Sequence, residues 1–276
     1  MPRRARPGDQ PAILLAALAR ARDGGPRAVA VFDLDSTLLD NRPRQAAILQ
    51  ADGRAAGVPA LRRARPEHFG GWNLAEALAA AGLGAVEVGR HAHPFREFWE
   101  ERFFTSAFCR LDVPVPGAPE FVRAVRAAGA RIAYVTGRPE RAMEAGTRFT
   151  LERHGFPLPS PASRGGGVAG TSPLPDGDGV FLLMKPGEGL LDDAWKVLAR
   201  DAVEARGTPV LVMDNEPAHV NAYARAWPRA LAVHLDTDHS GRPVEVDPAI
   251  PSVRDLRLAP GLLVSAAGAA ATAAAR

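Results

Sequence analysis

The 276-residue sequence has little of several features that mark whole classes of protein. It contains one cysteine, Cys109, so no disulfide can form within the chain, which fits a reducing compartment. It has almost no excess charge: 34 basic residues face 31 acidic ones, and Arg3, Arg4 and Arg6 account for the net +3. That balance gives no argument for a nucleic-acid partner. A content of 46% hydrophobic and 24% charged residues excludes wholesale disorder and indicates a globular protein.

Long hydrophobic runs are also lacking. The run at residues 13–19 follows an arginine-rich start and imitates a signal peptide, but it is short and Asp9 and Pro11 interrupt its approach. Its apolar residues recur at helical spacing, which predicts a packed helix over about residues 11–22. The Ala-rich tail, residues 258–276, is too weakly apolar for a membrane span. We therefore expect a cytoplasmic protein without a membrane partner, and a cleaved signal peptide is the alternative interpretation of the start.

Short apolar runs separated by helix-like stretches predict the buried strands of a parallel sheet. The predicted strands are 28–32, 131–135, 180–184, 209–213 and 230–235, and the predicted helices between them are 118–128, 139–154, 190–206 and 217–226. This alternation predicts an α/β fold with a doubly wound, mostly parallel, Rossmann-like sheet. In such sheets the chemistry gathers beyond the carboxyl ends of the strands.

Between residues 41 and 112 the strand pattern gives way to helical patterns. They lie near residues 43–57, 73–81 and 94–108. We predict that residues 41–112 form a helical cap, inserted after the first strand of a core made of residues 1–40 and 113–257. Residues 157–179, rich in Pro, Gly and Ser, predict a long loop.

Two carboxylates, Asp33 and Asp35, stand two positions apart where the first apolar run ends. In an extended chain they lie on the same side, and their crowded negative charge calls for a cation or a proton. Mg2+ favours such oxygens. One carboxylate of such a pair can attack an electrophile while the other donates and accepts protons. The alternative is structural: a strand that ends in an Asx turn, with Asp35 and Ser36 capping the next turn.

The string Asp33-Leu34-Asp35-Ser36-Thr37 resembles the first motif of the haloacid dehalogenase superfamily, most of whose members are magnesium-dependent phosphatases. The resemblance implies that Asp33 is the nucleophile and Asp35 the general acid and base, with Ser36 and Thr37 near the phosphate.

The second motif of that family resembles Thr136-Gly137-Arg138, at the end of the second predicted strand. The resemblance implies that the Thr136 hydroxyl and the amides of Gly137 and Arg138 bind a phosphate oxygen. Backbone amides that point inward form such an anion site. A helix N-terminus at this place is the structural alternative, and it is compatible with anion binding.

The third motif of the family is a lysine or arginine ahead of the fourth strand, and this chain has only two lysines. Lys196 lies on a predicted helix 18 residues before Asp214, whereas Lys185 directly follows a predicted strand and precedes Pro186. Either one would neutralise the nucleophile and the phosphate together. We favour Lys196 as the motif lysine and place Lys185 among the phosphate-binding residues.

The fourth motif resembles the apolar run that ends in Asp214, which implies a metal ligand. The resemblance implies that Mg2+ is held by Asp33, by the Asp35 carbonyl and by Asp214. Many members carry a second acid beside or shortly after the last of these, but here position 215 is Asn. We expect Asn215 to supply a neutral oxygen or orient a metal-bound water, with Glu216 as the nearest spare carboxylate.

The resemblance as a whole implies a Mg2+-dependent phosphomonoester hydrolase that forms an aspartyl-phosphate intermediate on a small phosphorylated metabolite. The inserted cap would choose the substrate and exclude water. Two alternatives remain: a phosphatase acting on nucleic-acid ends or nucleotides, and a non-catalytic protein that binds phosphorylated ligands.

Overall fold

The structure is a computed structural model that describes residues 9–159, 179–187, 189–259 and 261–262. The predicted long loop (157–179) and the predicted Ala-rich tail (258–276) lie for the most part outside the described residues. The three arginines to which the net charge is due also lie outside them.

Within the described residues, one parallel sheet contains six strands: β1 (Ala28–Phe32), β4 (Arg131–Pro139), β5 (Val180–Lys185), β6 (Thr208–Asp214), β7 (Leu231–Leu235) and β8 (Ser252–Val253). Their order across the sheet is β5-β4-β1-β6-β7-β8. The predicted α/β fold with a mostly parallel, Rossmann-like sheet is confirmed. Only β8 lacks a predicted counterpart, because two residues are too few to show a pattern.

Helices cover both faces of this sheet, as its strands require. The helices α1 (Gln10–Asp23) and α6 (Ala118–Ala127) pack on one face, and α8 (Asp192–Arg206) and α9 (Pro217–Ala226) pack on the other. Alternate residues of β1 divide between the two layers: Ala28, Ala30 and Phe32 join the first, and Val29 and Val31 the second. A strand that is buried on both faces must be apolar throughout, which explains its unbroken apolar run.

The chain leaves and re-enters this sheet through a short antiparallel pair, β2 (Leu39–Asp40) with β3 (Val113–Pro114). Between them lie α2 (Arg42–Ala55), α3 (Leu74–Ala80), α4 (Ala85–Phe103) and α5 (Ser106–Cys109). We call residues 41–112 the inserted segment. Helices α2 to α4 and the turns between them bury a cluster of apolar side chains separate from those of the sheet layers.

The predicted start of the last helical pattern at Pro94 is wrong. Helix α4 begins nine residues earlier, at Ala85, and continues through Pro94. Proline removes one helical hydrogen bond and normally ends a helix. Here the proline is exposed, so the carbonyl that it leaves unpaired lies on the solvent side, where water can satisfy it. The buried side of the same helix carries Phe95, Trp99 and Phe103.

The apolar run that imitates a signal peptide lies in α1, which buries Leu14, Ala17, Leu18 and Ala21 against the sheet layer. This is the packed helix that the spacing predicts. Among the described residues, no helix is at once long enough and apolar enough to cross a bilayer.

Gly146 fixes the contact between the inserted segment and the sheet layers, because α5 packs against α7 (Glu140–Arg153) at this residue. A Cβ there would lie 2.4 Å from the Cys109 Sγ and 2.4 Å from the Ser106 carbonyl oxygen. We expect Gly146→Ala to lower the free energy of unfolding by about 1–3 kcal/mol through overpacking. The control is Gly89→Ala in α4, where a Cβ meets nothing within 4 Å; it should be neutral or stabilise by up to about 1 kcal/mol. Urea denaturation measures both, and an equal effect of the two changes would contradict the packing role.

Candidate active site

The candidate site lies where the strand order reverses. From β1 the chain runs to β4 on one side and later returns through β6 on the other. The carboxyl ends of these three strands therefore meet at a switch point, the usual ligand-binding place of such sheets. Asp33 directly follows β1, Asp214 is the last residue of β6, and Thr136 lies in β4 three residues before its end.

A cavity of about 510 Å³ opens over these strand ends. Its wall includes the carboxylates Asp33, Asp35, Asp192, Asp193, Asp214 and Glu216, the cations Arg138, Lys196 and Arg242, and the aromatic side chains Trp72, Phe103 and Phe104. The strand ends, the loops beside them and helix α8 supply all of these charged groups, and the inserted segment supplies the three aromatic rings. The cavity thus lies between the two parts of the chain.

Lys196 joins Asp33 and Asp214, which the sequence predicts at strand ends and which the pairing of β1 with β6 places side by side. Its Nζ donates to the Asp33 Oδ1 at 2.5 Å, to the Asp214 Oδ2 at 3.1 Å and to the Val135 carbonyl oxygen at 2.8 Å. Burial raises the pKa of Asp33 to about 6. Lys196 acts in the opposite direction, and the negative charge of Asp214 adds to the rise. Burial also opposes ionisation of Asp214, but Lys196 and then His219 outweigh it and hold its pKa well below the usual range. Two carboxylates therefore share one ammonium group, and with both carboxylates ionised the three groups carry a net negative charge.

The Asp35 carboxylate points away from this trio and toward two arginines. Arg138 donates through Nε to Oδ2 at 2.7 Å and through Nη2 to Oδ1 at 2.9 Å, and Arg44 from α2 donates to Oδ1 as well. Burial favours the protonated acid, but the two guanidinium groups outweigh it and hold the pKa of Asp35 well below its usual range. Asp112, beside β3, also pairs with both arginines, at 2.6 Å and 3.0 Å. The four charges form a buried cluster across the boundary of the inserted segment.

Arg44 and Asp112 were not predicted as site residues. In the sequence, Arg44 is one of several arginines in α2 and the turns after it, and Asp112 is a lone acid before a short strand. Neither has a local pattern that distinguishes it from a solvated charge. The signal that could have found them is positional, because both lie beside the points where the inserted segment leaves and rejoins the sheet.

Several predicted phosphate-binding residues do not line the cavity in the described structure. Thr37 is fully buried, and its hydroxyl exchanges hydrogen bonds with the side chain and the backbone amide of Asn215. The Thr136 hydroxyl accepts from the Arg138 amide at 3.2 Å. Ser36 holds the turn after β1 in the left-handed conformation, with φ of 58°. These side chains shape the loops, while Gly137 and Arg138 reach the cavity wall.

The two lysines occupy different positions. Lys196 lines the cavity and contacts Asp33, whereas Lys185, at the end of β5, is not among the described residues of the wall and pairs with Asp192 at 2.7 Å. Asp192 in turn lies against Gly137, where a Cβ would come within 2.6 Å of its carboxylate. Lys185 therefore acts on the cavity only through its partner.

The oxygen donors at the site fit a hard divalent cation. Asp33 and Asp214 are buried side by side with a single ammonium group between them, and the raised pKa of Asp33 reflects burial together with this crowding. Carboxylate and carbonyl oxygens are the protein ligands that Mg2+ prefers. In the described part of the chain, no group of three His, Cys, Asp or Glu side chains is placed to hold a metal. A metal here therefore needs a backbone carbonyl or water in addition to the two carboxylates.

Asn215 and Glu216 are occupied by the loops around them. The Asn215 Oδ1 accepts from the Thr37 hydroxyl at 3.0 Å, and its Nδ2 donates to the Asp238 carbonyl at 2.6 Å. Glu216 accepts from the Ser240 amide at 3.0 Å and pairs with Arg242. The Asn215 amide thus braces the fourth-motif loop, and Glu216 forms part of a polar rim.

A family model described as a haloacid dehalogenase-like hydrolase matches residues 28–163. The N-acetylmuramic acid 6-phosphate phosphatase of Pseudomonas aeruginosa is 35% identical over 117 residues, which cover 41% of this chain and 50% of that protein. The chain thus matches about half the length of that curated relative.

Two solved structures are similar over most of their length. A haloacid dehalogenase-superfamily hydrolase from Geobacter sulfurreducens has a TM-score of 0.47 and 15% identity, covering 85% of this chain and 95% of that one. CbbY from Rhodobacter sphaeroides, solved in complex with phosphate, has a TM-score of 0.42 and 15% identity, covering 83% and 94%. The family match includes the aspartate pair and the second motif. The chain belongs to the haloacid dehalogenase-like hydrolase superfamily.

Proposed function

We propose that this chain is a Mg2+-dependent phosphomonoester hydrolase that acts on a small phosphorylated metabolite through an aspartyl-phosphate intermediate. The observation that carries the proposal is the placement of Asp33 at the switch point, bonded to Lys196 beside Asp214, on the wall of a cavity with Asp35 two residues away. The family match and the phosphatase name of the curated relative support it.

In this proposal an Asp33 carboxylate oxygen attacks phosphorus, and the bond from phosphorus to the ester oxygen breaks. The leaving alkoxide takes a proton and departs as the alcohol. A water then attacks the aspartyl-phosphate, gives up a proton and releases inorganic phosphate and free Asp33. Lys196 orients the nucleophile and stays charged throughout, because the two carboxylates hold its pKa above the ordinary value despite burial. Its charge offsets the negative charge that gathers on the phosphoryl oxygens.

Asp33, Asp214 and the Asp35 carbonyl would hold the Mg2+ ion. When bound, it supplies Lewis-acid stabilisation of the phosphoryl oxygens. Asn215 keeps the loop that carries Asp214 in place through its bonds to Thr37 and to the Asp238 carbonyl.

Asp35 is the proposed acid and base, and its two roles need different surroundings. A carboxylate held by two arginines is ionised, which suits the acceptance of a proton from water. To donate a proton, it must first lose part of that stabilisation. Arg44 is the partner that belongs to the inserted segment. We therefore propose that this segment acts as a cap whose position sets the protonation of Asp35.

A small metabolite fits the site better than a nucleic-acid end. Of the arginines near the start of the inserted segment, Arg44 is fully buried and bonded to Asp35, and Arg42 pairs with Asp40 at 2.7 Å. These two are therefore engaged within the chain and do not present free charge to phosphates. The curated relative is named for a sugar phosphate, which is a small metabolite of this kind.

The first test is hydrolysis of p-nitrophenyl phosphate with Mg2+ or with a chelator. We expect Mg2+-dependent release of nitrophenol, and a loss of at least about a thousandfold in Asp33→Asn because the nucleophile is gone. Asp236→Asn is the matched control, since Asp236 also follows a strand but does not line the cavity among the described residues. Turnover that survives unchanged in Asp33→Asn would refute the mechanism.

The two lysines provide a second matched pair. Lys196→Met should lower kcat by at least about a thousandfold, because it removes the cation that contacts the nucleophile. Lys185→Met should retain activity within about tenfold, since it acts only through Asp192. Both variants are checked for folding by circular dichroism before their kinetics are compared. The reverse order of effects would assign the motif role to Lys185.

The raised pKa of Asp33 predicts a cost in stability. In an unfolded chain an aspartate titrates near pH 4, whereas burial raises the pKa of Asp33 to about 6. Between these values the folded state binds the extra proton, so stability falls as pH rises and stays lower above the folded pKa. In chelator, Asp33→Asn should therefore be more stable than the wild type at pH 7.5, by on the order of 1–2 kcal/mol, with a smaller difference at pH 4.5. Thermal denaturation at the two pH values measures this, and a difference that grows toward acid pH would contradict it.

A further inference from the structure

The inserted segment presents an aromatic wall to the catalytic cavity. Trp72, Phe103 and Phe104 line the cavity and contribute no charge to it. They are braced by one another and by Trp99: Phe103 stacks on Trp99 at 4.2 Å and meets Trp72 edge-on at 5.4 Å and Phe104 at 5.1 Å. Phe104 is 37% exposed although it is a large apolar side chain. A rigid aromatic surface that faces a polar cavity is suited to stacking against a flat or apolar ring face.

The opposite wall carries an excess of negative charge. Six carboxylates and three cations line the cavity in the described part of the chain. Each of these cations is engaged: Lys196 by Asp33 and Asp214, Arg138 by Asp35, and Arg242 by Asp193 at 2.7 Å and Glu216 at 3.2 Å. Lys185, behind the wall, is engaged by Asp192.

These charges limit what the leaving group can carry. In the proposed mechanism Lys196 contacts the phosphoryl group, and Arg138 is bonded to Asp35. Of the three lining cations, this leaves Arg242 to bind the rest of the substrate. Its two carboxylate partners already neutralise it. A second anionic group on the substrate would therefore meet Asp193 and Glu216 without an unpaired cation among the described lining residues. Hydroxyl groups, in contrast, can donate to such carboxylates.

From these two walls we infer the substrate class: a phosphomonoester whose leaving alcohol bears a ring and no negative charge, with Phe104 as the side chain that stacks on the ring. The inference rests on the proposed function and deepens it. Sugars and nucleosides both supply such rings. The acidic rim discriminates against leaving groups with a carboxylate or a second phosphate.

The discrimination against a negatively charged leaving group is tested with three phosphomonoesters whose leaving alcohols contain the same sugar ring. We compare kcat/KM for N-acetylglucosamine 6-phosphate, for N-acetylmuramic acid 6-phosphate, and for the methyl ester of the latter, which keeps its bulk without its charge. The acid should be at least about fivefold poorer than its methyl ester, since its further negative charge faces two carboxylates, Asp193 and Glu216, that share the single cation Arg242. Asp193→Asn should narrow that ratio. An acid hydrolysed as well as its ester would overturn the charge rule and assign Arg242 to anion binding.

The stacking on the ring is tested with the variant Phe104→Ala and with glycerol 1-phosphate, whose leaving alcohol is uncharged and has no ring. The ratio of kcat/KM for N-acetylglucosamine 6-phosphate to that for glycerol 1-phosphate should fall by about three- to tenfold, the range expected for one aromatic stacking contact. Phe149→Ala is the control, because Phe149 is 40% exposed on α7 and lies outside the described cavity wall. An unchanged ratio in Phe104→Ala would overturn the stacking role.

Adenosine 5′-monophosphate and p-nitrophenyl phosphate are two further substrates. The first distinguishes a nucleoside from a sugar as the source of the ring, and the second distinguishes failure of this inference from failure of the proposed function. Adenosine 5′-monophosphate with a higher kcat/KM than the sugar esters would assign the ring to a nucleobase, and the reverse order would assign it to a sugar; both support the inference. Mg2+-dependent hydrolysis of p-nitrophenyl phosphate without any discrimination among the esters would contradict the inference alone. A folded protein that hydrolyses none of these compounds would contradict the proposed function and the inference with it.

Discussion

The site depends on one constraint: two carboxylates are buried at neighbouring strand ends and share one ammonium group. Asp33 and Asp214 approach each other because β1 and β6 are adjacent and parallel. Without Lys196 their mutual repulsion and their loss of hydration would oppose folding. With Lys196 in place, the three groups are tolerated but still carry a net negative charge, which contributes to the raised pKa of Asp33, the proposed nucleophile. In the proposed mechanism, this site lowers the stability of the fold in return for reactivity, as is common at functional sites.

A second group of charges connects the strand ends of the candidate site to the inserted segment. Asp35 and Asp112 face Arg44 and Arg138, and the two arginines come from different parts of the chain. Arg44 also donates to the Phe103 carbonyl and lies 3.9 Å from the centre of its ring. The residue that contacts the proposed acid and base therefore also contacts the aromatic wall. A movement of the inserted segment would act on both at once.

The local patterns of the sequence predict much of the fold because burial on both faces leaves little freedom of composition. The short apolar runs of β1, β4 and β6 have the length and composition typical of covered strands, and the covering helices follow from their 3.6-residue periodicity. The error at Pro94 has a physical cause, since the rule that proline ends a helix assumes that the lost hydrogen bond cannot be replaced by water. The residues of the site stay predictions until tested, although the structure brings Asp33, Asp35, Lys196 and Asp214 to one cavity.

The sequence by itself determined the strand-end aspartates, the order of the motifs and the family, because each motif consists of neighbouring residues in a short segment. It favoured Lys196 over Lys185 but could not show which lysine contacts Asp33, since that depends on which helix face turns toward β1 and on a contact across 163 positions. Only the tertiary structure decided that Thr37 and Asn215 bond to each other and that Arg44 and Arg138 each pair with both Asp35 and Asp112. These contacts join residues far apart in the chain or beside an insertion, where charge pairing depends on packing and leaves no periodic trace.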